Sequence, residues 1–534
     1  MADGARPLGP ALWAGGAAAL LLLALVLGPL AAVWSRAAGP GHLASWDLAA
    51  LRFTLLQATL SAVLSCALAA PVARALARRR FRGRALVLRV LGVPFILPVI
   101  VAVLGILAVW GRAGWVSAAL ARLGLPPLDI YGLPGILLAH VFFNLPLAVR
   151  LMLQAIASVP AESWRLAEQL GFGDRAIWRH VEWPAVRRVL PGALATIFLL
   201  CVASFATVLA LGGGPRATTL ELAIWQAFRF EFDLGHAATL AAVQLALCAA
   251  AALIAHLLGG GRGEVLAGLD RLPRRWDGAG RAARAADALA LVLLGVLVGL
   301  PMAAIVIEGL RAIGALPAEA LAAAARSVAV GTAATALALG LGVALAWLVA
   351  ALEAAGRPRW AAAVEGSGYL AIAASPMVLG VGLFILVFAL ADPVALALPL
   401  TALVNAVMAV PFVLRILLPA FRDAEARFGR LADALGIEGT ARLRLLLLPR
   451  ARGPIGFAAG LAAAFSIGDL GVIALFSRPE SATLPMLLYE LMGAYRMEAA
   501  RAAALVLVLM CLAAFWLLDR GGRADDAGRA GAGR

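Results

Sequence analysis

The sequence contains the heptapeptide RLAEQLG at residues 165–171 and a close copy of it, RLADALG, at residues 430–436, 265 positions further on. In both copies a proline, Pro184 or Pro449, follows the glycine at the same distance. Residues upstream also recur at this offset, as the match between Pro146 and Pro411 shows. The sequence therefore predicts two homologous halves, each carrying the same loop.

The composition indicates a membrane protein. The 534 residues are 63% hydrophobic and 14% charged, whereas a soluble domain has roughly 25% charged residues. The formal net charge is +15, and all basic residues are arginine. These arginines lie in short segments between apolar runs, which is typical of membrane topology rather than of nucleic-acid binding. Without lysine the chain has no Walker-type nucleotide loop, because that loop uses lysine to reach the phosphates.

Twelve apolar runs approach the length of about 20 residues that a membrane-spanning helix needs. They lie near 11–33, 55–77, 88–110, 132–157, 189–212, 237–258, 285–307, 327–351, 366–390, 393–414, 455–477 and 499–518. The first run is long for a signal peptide, so we interpret it as an uncleaved helix. We predict an all-α membrane protein with about twelve transmembrane helices in two parallel six-helix repeats.

Most arginines fall on one side of the membrane if both termini are cytoplasmic, and we predict that orientation. The run at 78–80 is interpreted as a topology determinant beside anionic membrane lipid, with a contact to a partner protein as the lesser alternative. The predicted organisation is 1–51, N-terminal segment with the first helix; 52–258, first transmembrane domain; 259–321, cytoplasmic linker and seventh helix; 322–516, second transmembrane domain; and 517–534, disordered cytoplasmic tail.

Each repeated loop is predicted to form two short helices outside the bilayer. In the first copy, a helix over 161–170 follows Pro160 and ends at Gly171. Asp174 is expected to cap a second helix that runs until Pro184. Thr440 is the candidate cap in the second copy, and the small Ala167 would let another surface approach closely. One such loop would be an ordinary connector, but two equivalent loops indicate a two-lobed partner in the cytoplasm.

This pattern resembles the EAA loop of binding-protein-dependent ABC importer permeases. In that family the loop forms a coupling helix that docks into a cleft of the ATP-hydrolysing subunit. The resemblance implies one coupling loop at Arg165, Leu166, Ala167, Glu168, Gly171 and Pro184, and another at Arg430, Leu431, Ala432, Asp433, Gly436 and Pro449. The two leading arginines depart from the family pattern, which has glutamate there, and this departure puts its salt bridge in doubt.

The resemblance also implies the partners and the solute. Fused double permeases occur mainly in the ferric-iron and thiamine branches of the family, and residues 135–154 and 204–227 look like the thiamine branch. It implies an inner-membrane subunit with no cofactor of its own, two copies of an ABC ATPase that binds the ATP, and a periplasmic solute-binding protein. The solute would be thiamine or a phosphate ester of it. A ferric-iron permease is the alternative.

A few polar residues within the apolar runs are candidates for a translocation path. They are His140, Asn144, Asn405 and Asp469. Asp469 would attract a cationic solute, while the competing interpretation for all four is helix-to-helix hydrogen bonding.

Two other classes of protein fit the sequence less well. An ion-coupled secondary transporter predicts several buried carboxylates, and it leaves the repeated loops unexplained. A membrane enzyme lacks support because the four cysteines and five histidines show no metal-ligand spacing and no catalytic constellation is visible. The sequence predicts neither a catalytic residue nor a metal site.

Overall fold

The computed structural model describes residues 9–37, 43–212, 214–258 and 275–531. Throughout these ranges the regular elements are helical, which confirms the predicted all-α class. The α-helices, in chain order, are α1 (Gly9–Arg36), α2 (Ser45–Arg78), α3 (Arg84–Val90), α4 (Val99–Trp110), α5 (Trp115–Arg122), α6 (Leu133–Ala157), α7 (Ala161–Gln169), α8 (Asp174–Ile177), α9 (Trp183–Val202), α10 (Ala206–Leu211), α11 (Leu220–Gln226), α12 (Leu234–Leu258), α13 (Arg281–Leu294), α14 (Leu300–Arg311), α15 (Glu319–Ala354), α16 (Pro358–Tyr369), α17 (Pro376–Phe388), α18 (Ala397–Ala434), α19 (Gly439–Arg442), α20 (Leu448–Arg450), α21 (Arg452–Ile467), α22 (Ile473–Phe476), α23 (Leu484–Gly493) and α24 (Met497–Gly531).

Short turns of other helix types connect several of these elements. The 3₁₀ turns are Val93–Phe95, Pro215–Ala217, Ile313–Ala315, Leu370–Ala373 and Pro479–Ser481. The π-helical turns are Trp178–Glu182, Ala227–Glu231, Gly295–Gly299 and Leu443–Leu447.

Within the described ranges, 10 helical segments are long and apolar enough to cross a membrane. They correspond to ten of the twelve predicted runs. The other two, near 366–390 and 455–477, contain shorter apolar helices: α17 has 13 residues and α21 has 16.

Local sequence explains why these two helices are short. The Ser375 hydroxyl accepts a hydrogen bond from the Val378 amide, and this cap with the following proline makes α17 begin late. After α21, the Asp469 carboxylate accepts hydrogen bonds from the amides of Gly471 and Val472, both at 3.2 Å. The chain therefore leaves the helix at that point and restarts as α22.

The chain folds into two compact units. The first unit comprises Ala44–Ala223 and Ala246–Arg311; the second unit comprises Met1–Leu43, Ile224–Leu245 and Ala312–Arg534. Each unit contains one copy of the repeated loop.

The leading helix of each half packs within the unit that carries the other half's loop. In the first unit α2 packs against α6, α9 and α13, and α4 packs against α14. In the second unit α1 packs against α15 and α17, while α15 also packs against α18 and α21. Gly382 of α17 lies directly against the Pro29 carbonyl of α1, and a side chain there would collide with that backbone. Small residues allow such close contact between membrane helices.

An equivalent hydrogen bond in each unit shows the internal repeat. In the first unit the Thr54 hydroxyl accepts from the Leu220 amide at 2.9 Å. In the second unit the Ser327 hydroxyl accepts from the Leu484 amide at 2.9 Å. Both leucines begin a helix, so the same device fixes the start of α11 and of α23.

A π-helical turn lies before the proline of each repeated loop. The turn Trp178–Glu182 precedes Pro184, and Leu443–Leu447 precedes Pro449. Proline has no N–H to donate and its ring crowds the preceding turn; a wider turn at that place relieves this conflict. The helix consequently passes through Pro184 into α9, and the prediction that it ends there was wrong.

At the C-terminus, α24 runs from Met497 through Gly531. This differs from the disordered tail that the Gly/Ala/charged composition of 517–534 predicts. The segment has alanines and arginines that favour a helix, and it continues one that is already formed.

Candidate coupling loops and polar residues of the spans

The first coupling loop is a short helix with a glycine stop. Helix α7 ends at Gly171, which has φ of 64°. The Gly171 amide donates to the Glu168 carbonyl at 3.0 Å, and the Phe172 amide donates to the Ala167 carbonyl at 3.0 Å. This pair of bonds is a Schellman motif, which needs a left-handed residue and so favours glycine.

The second coupling loop ends in the same way. Gly436 has φ of 63°; its amide donates to the Asp433 carbonyl at 3.1 Å, and the Ile437 amide donates to the Ala432 carbonyl at 2.9 Å. The glycines predicted from the repeat therefore terminate both helices in the structure. Thr440 lies inside α19, whose cap is Glu438, so the predicted threonine cap was wrong.

The coupling helices expose leucine, whereas their alanines are buried. Ala167 and Ala432 are 3% and 4% exposed, so each faces its own chain rather than a free surface as we expected for Ala167. Four leucines point outward instead. They are Leu166, Leu170, Leu431 and Leu435, all more than half exposed. Residues four apart share a helix face, so each loop presents a matched pair of leucines, which we call the leucine patches.

Arg165 and Arg430 are also exposed, as are Glu168 and Asp433, while Pro184 and Pro449 are half-buried. The residues that sequence reasoning missed are Leu170 and Leu435. Each lies four residues after a predicted leucine, Leu166 or Leu431, and this helical spacing could have identified them.

Ion pairs join the first loop to the end of α2. Glu182, which has no exposed side-chain surface, accepts a hydrogen bond from Arg74 at 2.6 Å. Asp174 pairs with Arg74 at 3.0 Å and with Arg78 at closer range. Asp174 is the first residue of α8, and the cap of that helix is Gly173, so the predicted aspartate cap was wrong. Its carboxylate holds the arginines instead.

Arg78 and Arg79 form ion pairs with α13. Both donate to the Asp287 carboxylate of α13 at 2.6 Å, and only 3% of the Arg78 side chain is exposed. Their role as topology determinants beside lipid stays a prediction. The contacts with Asp287 were not predicted, because Asp287 lies about two hundred positions away in the sequence.

In the second loop, a single arginine forms the ion pairs that connect α19 to α18. Arg442 donates to Glu425 at 2.8 and 2.6 Å and to Asp433 at 2.7 Å. Hydrogen bonds to both carboxylates outweigh the effect of burial and raise the pKa of the Arg442 guanidinium. It therefore stays charged at every working pH and ties α19 to α18.

The polar residues of the spans make contacts inside their own units. In the first unit, His140 lies between the Ser61 and Ser204 hydroxyls, 2.9 Å from each. Asn144 donates to the Cys201 sulfur at 3.3 Å. In the second unit, the Asn405 amide donates to the Ser466 hydroxyl at 3.1 Å. These bonds join neighbouring helices, and a role in translocation stays a prediction for all four candidates.

Aromatic side chains gather in the second unit. Phe384 contacts Phe228, Phe388 and Phe476 with ring centroids 4.6, 5.6 and 6.2 Å apart. Trp225 packs edge-on to Phe230 at 5.0 Å and donates to the Ala474 carbonyl at 3.3 Å. No group of three or more metal-binding side chains occurs among the described residues.

Known proteins similar to this chain are transport permeases. The thiamine transport system permease protein ThiP of Brucella abortus is 44% identical over 517 residues, covering 95% of this chain and 94% of that protein. ThiP of Salmonella typhimurium is 40% identical over 531 residues, covering 97% and 98%. The sulfate transport system permease protein CysW of Synechocystis is 31% identical over 206 residues, covering 38% of this chain and 74% of that protein. No protein-family model matches the chain.

Proposed function

The chain belongs to the family of thiamine transport system permeases, and we propose that it is the inner-membrane subunit through which an ABC importer moves thiamine or its phosphate esters. The observation that carries this proposal is the similarity along nearly the whole chain to relatives named for thiamine transport. Ten apolar helical segments among the described residues support a multi-pass membrane protein. Nothing in the relatives or in the described residues favours ferric iron as the solute.

We infer that the two leucine patches dock on two copies of an ABC ATPase. Each patch lies on a coupling helix that the same Schellman motif terminates. Exposed apolar surface of this kind marks interaction sites. Two equivalent patches fit a partner with two equivalent clefts. Since the chain contains no lysine, it has no Walker lysine, and the partner binds and hydrolyses the ATP while this chain needs no cofactor.

The same proposal places both termini in the cytoplasm and the solute-binding protein on the opposite face. The arginine distribution supports this orientation. Binding of ATP by the partner would draw the two coupling loops together and shift the permease between outward- and inward-facing states. To shift this equilibrium almost completely, the ATP-bound partner must bind one state several kcal/mol more tightly than the other.

The test uses the chain reconstituted with its ATPase. A variant carrying Leu166→Asp and Leu431→Asp removes one leucine from each patch. Burying a leucine contributes about 1.5–3 kcal/mol, so we expect ATPase association to weaken by more than about tenfold per loop. The control is Leu390→Asp, because Leu390 is 90% exposed and lies outside both loops. Unchanged association of the patch variant would contradict docking through these surfaces.

A further inference from the structure

The linker between the halves touches the first coupling loop. Its described part begins at Arg275, whose guanidinium lies over the Trp164 ring of α7 at 4.5 Å from the centroid. Arg275 also donates to Glu182 at 2.5 Å. The neighbouring Trp276 indole donates to the Phe172 carbonyl at 3.1 Å. The linker thus contacts α7, the turn that follows α7 and the π-helical turn before α9.

These contacts are buried and charge-balanced. Side-chain exposure is 2% for Arg275, 0% for Glu182 and 1% for Asp277. Asp277 accepts two hydrogen bonds from Arg275 and lies 3.6 Å from Arg78. A buried charge is costly unless it is paired and hydrogen-bonded, so removing Arg275 takes partners from two carboxylates at once. These paired charges therefore fix the linker against the first coupling loop.

The second coupling loop has different side chains at the positions that build this arrangement in the first. The positions equivalent to Glu182 and Asp174 are Leu447 and Gly439, so the acidic partners are missing. Arg442 holds that loop from within, through Glu425 and Asp433. In the first half the residue equivalent to Arg442 is the fully buried Ile177.

The chain break before α7 explains why the first loop needs an external support. Pro160 separates α6 from α7, whereas α18 continues without interruption from its apolar part into the second coupling helix. A helix of nine residues is marginal by itself and requires contacts to hold its direction.

We propose that residues 275–277 are a positioning element, which holds the first coupling loop in the orientation that its ATPase subunit requires. This inference rests on the proposed function of the loop. It makes the two coupling loops unequal: the linker supports the first, whereas Arg442 and the packing of α1 against α19 support the second. Changes in the linker segment should weaken coupling through the first loop alone.

Hydrogen–deuterium exchange of the full chain without its ATPase tests the contact itself. In a variant with Arg275→Ala and Trp276→Ala, we expect the amides of 162–172 to exchange about tenfold faster, because charged and neutral hydrogen bonds are both lost. The amides of 427–437 serve as an internal reference and should not change. The matched control is Arg442→Ala, which should produce the opposite pattern. Equal exchange of 162–172 in variant and wild type would overturn the proposal.

Transport in the complete complex tests the positioning role. We expect the double variant to transport several-fold less thiamine per ATP hydrolysed, with the ATPase still associated through the second loop. Arg275→Lys keeps the charge and should recover part of the coupling, which a merely unfolded loop would not do. Faster exchange with unchanged coupling would overturn the positioning role and leave the proposed function standing. An ATPase that fails to associate with the wild-type chain would instead remove the proposed function.

Discussion

Glu425 occupies in the second half the position that Pro160 occupies in the first, 265 residues earlier. Pro160 caps α7 and separates it from α6. Glu425 lies inside the continuous α18 and accepts two hydrogen bonds from Arg442. One coupling helix is thus a separate element, and the other is an extension of a membrane helix.

Replacing Glu425 with proline should therefore detach the second coupling helix. Proline inside a helix costs about 3 kcal/mol or more through a lost hydrogen bond and a steric clash. We expect faster hydrogen exchange over 426–436 and loss of ATPase association at that loop. Glu425→Ala is the control, since it removes only the contacts with Arg442. Equal effects of the two variants would contradict the importance of helix continuity.

Replacing either helix-ending glycine, Gly171 or Gly436, with alanine should destabilise its loop through backbone strain alone. A Cβ at Gly171 or Gly436 would meet no atom within 4 Å, so no clash contributes. Alanine in the left-handed region costs roughly 1–2 kcal/mol, and we expect loop amides to exchange about tenfold faster in Gly171→Ala or Gly436→Ala. Gly173→Ala is the matched control, because its surroundings are equally open and its φ is −80°. A Gly173 variant that behaves like the Gly171 variant would contradict the strain argument.

The linker contact should resist mild acid. Burial raises the pKa of Asp277, but the hydrogen bonds and charge of Arg275, together with Arg78 and Arg74, lower that pKa below its ordinary value of 3.8. A depressed pKa stabilises the folded form above the unfolded pKa, and this contribution is lost as pH falls through the folded pKa. Glu182 is the other carboxylate that faces Arg275.

We therefore expect the linker to stay docked between pH 8 and about 5 and to loosen only in strong acid. Spin labels on Glu168→Cys and Ala279→Cys report the distance between loop and linker. Asp277→Asn should broaden that distance at every pH, and the acid transition that remains should come from Glu182, the other carboxylate facing Arg275. A wild-type distance that broadens between pH 7 and 5 would contradict this assignment.

A substitution at Asp469 distinguishes a structural role of this residue from a role in solute transport. Both carboxylate oxygens accept backbone amides at the break between α21 and α22. If this capping is its role, Asp469→Ala should destabilise the second unit by about 1 kcal/mol and leave the KM for thiamine unchanged. The measurements are thermal unfolding and uptake kinetics. A KM raised by about tenfold with unchanged stability would place Asp469 on the solute path.

Sequence patterns predicted the elements that depend on local chemistry. Apolar runs predicted ten helical segments long enough to span the membrane, and the repeated glycines predicted both helix ends. Local patterns did not predict the breaks at Ser375 and Asp469, because each depends on a single capping side chain within an apolar run. They also placed Pro184 at a helix end, since a π-helical turn that accommodates proline leaves no clear sequence signal.

The ion pairs that support the first loop cannot be predicted from local sequence patterns. Arg275 and Glu182 are 93 residues apart, and Arg78 and Asp287 are 209 apart. Nothing in the spacing of these residues selects one carboxylate over another. The packing of α1 within the second unit is likewise a tertiary property, because its apolar surface would suit many neighbouring helices.

We expect this chain to import thiamine with energy that ATP supplies through the coupling loops. The direct test is uptake of radiolabelled thiamine into proteoliposomes that contain the chain, its ATPase and its binding protein, with ATP on the ATPase side. We expect ATP-dependent uptake that Gly171→Asp with Gly436→Asp abolishes. Uptake driven by a proton gradient without the ATPase would contradict it, as would ATPase stimulation by an iron-loaded but not a thiamine-loaded binding protein.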